Sequence, residues 1–145
     1  MQLLESLGEM SYDKAIEVLK RYKQSLRTLK TREVAIVILE NGDVYRIPGT
    51  PEGVNISGLK GQLKNAFVTH NHLPEPTSFT FSFDDFGGFE KYGIHTLRGA
   101  DIRYAYELTR GFEAVPSKLS FDLSHYDVGL KAYEVGIAYR RWKID

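Results

Sequence analysis

The sequence predicts a single α/β domain in which a mixed central β-sheet of about five strands is flanked by helices. Near both ends of the chain, apolar residues recur at three- and four-residue spacing, which is typical of amphipathic helices. Between these ends, short apolar or alternating runs are separated by Gly, Pro and Asn, which is typical of strands and turns. The 145 residues contain no repeat or low-complexity tract, so one domain spanning residues 1–145 is the simplest organisation.

The first predicted helix runs from Ser11 to about Leu29, and Ser11 is a suitable N-cap. Its apolar stripe consists of Ala15, Ile16, Leu19, Tyr22, Leu26 and Leu29. A continuous apolar run at 34–39, rich in β-branched residues and preceded by Glu33, predicts a strand covered on both faces. The Asn41-Gly42 pair that follows is a strong signal for a tight hairpin, with residues 44–47 as the returning strand.

The second half of the chain alternates in the same way between strand and helix signals. We expect a loop at 48–61, a helical turn near 59–64 and a buried strand whose apolar run at 66–68 leads into a polar turn. These are followed by a predicted helix at 82–92, strands at 94–98 and 102–108, and a final helix at 124–142. Gly99-Ala100-Asp101 is the predicted turn between the last two strands. Tyr133, Tyr139 and Trp142 give the last helix an aromatic face that could serve as a dimer contact.

Composition narrows the function classes. Basic and acidic residues balance at 19 each, so no overall charge attracts nucleic acid or anionic lipid. The chain has no cysteine, which excludes disulfides, thiolate metal sites and cysteine nucleophiles and leaves His, Asp and Glu as metal ligands. No apolar run approaches the ~18–20 residues that span a bilayer, and no signal-peptide pattern opens the chain. We therefore expect a cytoplasmic protein without a membrane partner.

The segment most suggestive of chemistry is His70-Asn71-His72, at the end of a short apolar run. Because side chains alternate along a strand, the two histidines should project from one face and Asn71 from the other. Two imidazoles so placed can share a metal ion. A catalytic zinc site needs a third nitrogen or oxygen ligand, and both Asp84 and Asp85 lie close in sequence.

The order of these residues also resembles a known motif. Glu33 before a buried strand, then His70-Asn71-His72, then Ser82 and Asp85 at the start of a helix follow the pattern Glu, His-x-His, Ser-x-x-Asp. This resembles the JAMM motif of the JAB/MPN metalloprotease family, and it looks most like the bacterial and phage branch that includes RadC-like proteins. The resemblance covers roughly 33 to 108 and implies the JAB/MPN, cytidine-deaminase-like architecture.

The resemblance implies a role for each matching residue. His70, His72 and Asp85 would bind Zn²⁺, with Asp84 as the alternative carboxylate. Glu33 would accept the proton of the attacking water, and Ser82 would donate a hydrogen bond to the oxyanion. The implied reaction is hydrolysis of a peptide or isopeptide bond in a peptide or protein substrate. The sequence departs from the family pattern after the second histidine, where Leu73 precedes the expected proline.

Each residue also has a simpler structural interpretation. Ser82 and Asp85 have the spacing of a helix capping box, which does not exclude a metal site. Glu33 alone would be an ordinary acid at a strand start. His95 and His125 are expected to be structural or exposed. The phenylalanines around the motif are expected to pack in the core, although an extended segment containing Phe79 and Phe81 could instead line a groove for a peptide.

Two other function classes remain open on the sequence alone. The domain could be an inactive relative that binds a protein partner, which a Glu33 side chain pointing away from the histidines would favour. A RadC-like, nucleic-acid-associated role is weaker, because the neutral chain lacks a concentrated basic patch and no nucleic acid partner is expected. A zinc nucleoside deaminase in its usual form is excluded, because that site needs cysteine ligands.

Overall fold

The computed structural model describes residues 1–73, 81–110 and 137–143. These residues form β1 (Gln2–Ser6), α1 (Tyr12–Arg27), β2 (Val34–Ile38), β3 (Asp43–Pro48), a 3₁₀-helix (Ser57–Gln62), β4 (Phe67–Asn71), α2 (Phe83–Lys91), β5 (Thr96–Ala100), β6 (Tyr104–Thr109) and β7 (Ala138–Lys143). The strands make one mixed sheet in the order β1-β3-β2-β4-β5-β6-β7. The predicted α/β class is confirmed, with seven strands in the described ranges rather than about five.

Helix α1 covers one face of the sheet, as its apolar stripe requires. The Ser11 hydroxyl caps it by accepting a hydrogen bond from the Lys14 backbone N–H at 3.2 Å. The buried stripe packs over β2 and β4, where it meets Val34, Ile36 and Ile38. The intervening β2 residues face the opposite side, in the cluster that contains α2. All five residues of β2 are buried, which explains its continuous apolar run.

The predicted hairpin joins β2 to β3. Gly42 has a φ of +94°, a conformation that glycine adopts without strain, and its N–H donates to the Leu39 carbonyl at 2.9 Å. The Asn41 side chain accepts a hydrogen bond from the Asp43 N–H at 3.0 Å. This turn fixes the register of β3, and with it the position of the loop after Pro48, beside the start of β2.

Strands β4 and β5 run parallel, and α2 lies between them in the sequence. A parallel pair needs a crossover connection, and the helix in that connection starts near the carboxyl end of the first strand. The N-terminus of α2 therefore comes close to the end of β4. Sites in α/β sheets favour this location, because side chains from strand ends and helix starts converge there.

The chain begins with a strand, although the sequence predicted a helix as its first element. Residues Gln2–Ser6 form β1, which pairs with β3 and has a register shift between Leu3 and Glu5. The irregular pairing and the mostly exposed side chains explain why these five residues carry no clear alternating pattern.

The prediction of a final helix is wrong for the last residues of that helix. Residues Ala138–Lys143 form β7, which pairs antiparallel with β6 along its whole length. Tyr139 and Trp142 suit a strand as well as a helix face, and tertiary pairing decides between the two. Tyr139 is buried in the core rather than available as a dimer contact. Residues 124–136 of the predicted helix, with Tyr133 and His125, lie outside the described residues.

The turn between β5 and β6 lies two residues later than predicted. Gly99 and Ala100 belong to β5, and the chain reverses at 101–103. The Asp101 carboxylate drives this turn, because it accepts hydrogen bonds from the backbone N–H groups of Arg103 and Tyr104 at 2.7 and 2.8 Å. None of the described helices is long and apolar enough to cross a membrane.

Candidate metal centre

The two histidines meet on the α2 side of the sheet. His70 is in β4, and the backbone N–H of His72 donates to the Ala100 carbonyl at 2.8 Å, which continues the β4–β5 pairing. The strand alternation therefore holds through His72, and both imidazoles project from one face as predicted. Their Nε2 atoms lie 2.9 Å apart. A pair of nitrogens this close can bind one cation together.

Asp85 supplies a carboxylate to the same point. Its Oδ1 lies 3.4 Å from His70 Nε2, and its Oδ2 lies 3.1 Å from His72 Nε2. The capping box of α2 holds this carboxylate in place, since Oδ2 accepts the Ser82 N–H at 2.9 Å and the Ser82 hydroxyl accepts the Asp85 N–H at 3.1 Å. The capping interpretation and the metal interpretation therefore describe the same geometry. Asp84 is exposed at the start of the helix, and the structure places Asp85 against the histidines.

Glu33 directly precedes β2, the strand next to β4 in the sheet. One carboxylate oxygen of Glu33 and one ligand nitrogen from each of His70 and His72 lie within 4.8 Å of one another. Its side chain points toward the histidines, and the residue is only 9% exposed. Its backbone is anchored on the β3 side, where its N–H donates to Thr50 at 2.9 Å and its carbonyl accepts from Gly49 at 2.8 Å.

Charge complementarity supports the carboxylate form of Asp85. Burial alone would raise its pKa, but the charges and hydrogen bonds of His70 and His72 outweigh burial and hold the pKa well below the ordinary value. Asp85 is therefore ionised at neutral pH and is available as an anionic ligand. The set of two imidazoles and one carboxylate suits zinc, which catalytic sites bind with three protein ligands and one open position.

Tyr106, which no sequence pattern indicated, contacts the ring nitrogen of His72 that is farther from the other ligands. Its hydroxyl oxygen lies 2.7 Å from His72 Nδ1, the ring nitrogen that faces away from the other ligands. Burial raises the pKa of Tyr106 well above its ordinary value, so the phenol stays neutral. A neutral hydroxyl can accept a hydrogen bond from a protonated Nδ1, and that tautomer leaves the Nε2 lone pair for a metal. Alternation along β6 could have predicted that Tyr106 lies on this face, but it could not have predicted the contact with His72.

Gly99 makes room for the Tyr106 ring. It pairs with His70 in β4 and with Tyr106 in β6. A Cβ at this position would overlap the ring, with Cδ2 at 2.9 Å and Phe81 Cε1 at 3.2 Å. Only glycine lets the tyrosine lie flat across β5 and reach His72.

His95 and Phe81 have structural roles and are not part of the proposed ligand set. His95 packs against Phe67 with ring centroids 4.8 Å apart, and its Nδ1 lies 2.8 Å from the Thr96 hydroxyl, so it has a structural role. Phe81 is buried between His70 and Tyr106 in the core, which rules out the groove interpretation for that residue. Phe79 lies outside the described residues.

Comparison with protein-family models, curated proteins and solved structures found no match for this chain.

Proposed function

We propose that this protein is a zinc-dependent hydrolase of the JAB/MPN type, which uses water to cleave a peptide or isopeptide bond. The observation that carries the proposal is the convergence of His70, His72 and Asp85, whose facing side-chain atoms lie 2.9 to 3.4 Å apart. The Glu33 carboxylate lies within 4.8 Å of the histidine nitrogens, close enough for a water to lie between them. Three ligands and one adjacent base are the parts that hydrolysis of an amide requires.

In the proposed reaction Glu33 is the general base and then the general acid. A bound zinc ion would lower the pKa of a coordinated water toward ~7 and so supply a nucleophile at neutral pH. Glu33 accepts the proton of the attacking water and later donates it to the leaving amine. Its burial beside the histidines keeps bulk water from competing for that proton. General acid–base catalysis of this kind contributes about 10²–10⁴-fold to the rate.

Ser82 is the proposed donor to the developing oxyanion. Its hydroxyl oxygen accepts the Asp85 N–H in the helix cap, and a hydroxyl that accepts still has its own hydrogen to donate. Ser82 is exposed, so the carbonyl of a substrate can approach it. Removing one oxyanion donor costs about 2.7–4 kcal/mol of transition-state stabilisation in comparable sites.

The arrangement of the elements also supports a JAB/MPN-like architecture. The acid precedes β2, the two histidines end the adjacent β4, and the serine and aspartate start the crossover helix α2. The parts of the JAMM-like pattern, separated by up to 52 positions from Glu33 to Asp85, thus come together through one strand pair and one helix end. The described structure lacks the feature that would favour the inactive alternative, a Glu33 side chain that points away from the histidines.

The experiment is a hydrolysis assay on zinc-loaded protein, with a quenched fluorescent peptide library and a substrate whose acyl group is linked to a lysine ε-amine. We expect cleavage that a chelator abolishes and zinc restores. Glu33→Gln should reduce kcat at least about 100-fold. Glu17→Gln, which changes an exposed acid on α1, serves as the matched control and should have no effect. Full activity in Glu33→Gln, or no cleavage of either substrate class, would overturn the proposal.

A further inference from the structure

Asn71, the residue between the two histidines, points away from the metal ligands and toward the backbone on either side of Glu33. Its side-chain oxygen accepts a hydrogen bond from the Val34 N–H at 2.7 Å. Its side-chain NH₂ donates to the Arg32 carbonyl at 3.1 Å. One amide group, on a residue that is only 1% exposed, therefore spans the chain across Glu33.

This bridge occurs where two strands separate. The β2–β4 pairing ends at Ala35 and His70, one position before Val34 and Asn71 would face each other. Backbone groups at 32 and 34 that would continue the ladder thus lose their β4 backbone partners. The Asn71 side chain replaces those partners, and it satisfies one donor and one acceptor at once.

Glu33 is consequently held from both sides. On the β3 side its own N–H and carbonyl bind Thr50 and Gly49, and on the β4 side Asn71 binds the groups that flank it. Strand geometry requires this division, because the backbone groups of successive residues point to opposite sides. These contacts fix the backbone point from which the Glu33 side chain extends toward the histidines.

We propose that Asn71 is a positioning residue that sets the distance between the Glu33 carboxylate and the metal centre. The inference rests on the proposed function, in which Glu33 is the base. The His70-Asn71-His72 segment then has two tasks: its outer residues bind the metal, and its middle residue aligns the base. Misplacement of a catalytic group by about 1 Å can cost about 100-fold in rate, so small shifts at Glu33 matter.

The test compares Asn71→Asp and Asn71→Ala with Thr69→Val. Asn71→Asp keeps an oxygen for the Val34 N–H and loses the donor to Arg32, so it is the variant expected to fold if the alanine variant does not. Thr69 lies on the same strand face and is also buried, and its hydroxyl has no hydrogen-bond partner within the described structure, so Thr69→Val is the matched control.

Two readouts separate positioning from general destabilisation. In the hydrolysis assay the Asn71 variants should lose at least about 10-fold in kcat, with KM and zinc affinity within threefold of wild type. Independently of activity, Co²⁺-loaded protein with ¹³C-labelled glutamate carboxyls should show strong paramagnetic broadening of the Glu33 signal, which Glu33→Gln identifies. That broadening should weaken in the Asn71 variants and stay unchanged in Thr69→Val.

The outcomes distinguish this inference from the function on which it rests. If wild type is inactive but the Co²⁺ broadening of its Glu33 signal weakens in the Asn71 variants, the hydrolase proposal is overturned and the positioning role is supported. Folded Asn71 variants that bind Co²⁺ with an unchanged Glu33 signal and unchanged kcat would overturn the positioning role alone. Failure of wild type to bind Co²⁺ would overturn both.

Discussion

Gly99→Ala should destabilise the protein and weaken its metal centre at the same time. The added methyl would overlap the Tyr106 ring and lie 3.2 Å from Phe81 Cε1, where attractive carbon contacts begin at about 3.5 Å. Tyr106 is fully buried and Phe81 is 3% exposed, so neither ring can move into solvent. The overlap can be relieved only if the Tyr106 ring shifts, and that shift would move its hydroxyl away from His72.

The expected magnitude follows from two opposing effects. Overpacking in a dense core costs about 1–3 kcal/mol. Replacing glycine by alanine in a permitted backbone conformation stabilises a protein by about 0.4–1 kcal/mol, because the unfolded chain then has fewer conformations. The net loss in the free energy of unfolding should therefore be about 1–2 kcal/mol.

Urea denaturation of the metal-free protein measures this loss, and a competition titration measures zinc affinity. Gly58→Ala is the matched control, because a Cβ there meets no atom within 4 Å. We expect its stability to be unchanged or slightly higher. If Gly99→Ala is as stable as wild type and binds zinc equally well, the argument that this glycine exists to accommodate Tyr106 is refuted.

Three further predictions concern single side chains. Tyr106→Phe removes the hydroxyl 2.7 Å from His72 Nδ1, so zinc affinity measured against a chromogenic chelator should fall about 10–100-fold; an unchanged affinity contradicts the supporting role. Burial and a nearby arginine charge lower the pKa of His95, so as pH falls below about 6.5 the unfolded chain takes up the proton first. Stability to urea should therefore decline from about pH 7.5 to 5.5, and His95→Gln should make the decline shallower; an identical slope in both proteins argues against this linkage. Glu107→Ala leaves the buried Arg98 without the carboxylate 2.7 Å from its Nε, and calorimetry or denaturation should show a loss of about 3–5 kcal/mol; a loss below about 1 kcal/mol would mean that the pair is solvated.

The parts of the centre that the sequence predicted are those encoded locally. Alternation along a strand is enough to place His70 and His72 together and Asn71 opposite them. A capping box is a four-residue signal, so the positions of Ser82 and Asp85 could also be predicted. The approach of Glu33 followed from the resemblance rather than from any local pattern, because it depends on β2 and β4 being neighbours.

The supporting residues could not be predicted because they depend on strand register. Tyr106 reaches His72 across β5 only because Gly99 pairs with it, and that pairing is set by a turn that Asp101 forms two residues later than predicted. The same limitation explains β7: its residues satisfy a helical spacing and a strand alternation equally well, and pairing with β6 decides the outcome.

The hydrogen bonds of Asn71 illustrate the limit most clearly. An asparagine between two histidines gives no sign in the sequence of what its side chain binds. Its partners are backbone groups 37 and 39 positions away, at a place where two strands separate. Such a contact becomes visible only when the sheet is assembled.

The zinc content of purified, untagged protein tests the central claim most directly, with His72→Ala, Asp85→Asn and Asp84→Asn measured beside wild type. Asp84 is the exposed neighbour of Asp85, so its variant makes the same chemical change one position away from the centre. The account predicts about one zinc per chain in wild type and Asp84→Asn, and loss of zinc in His72→Ala and Asp85→Asn. Zinc retained in His72→Ala or Asp85→Asn, zinc lost in Asp84→Asn, or wild type that binds none after incubation with zinc would contradict it.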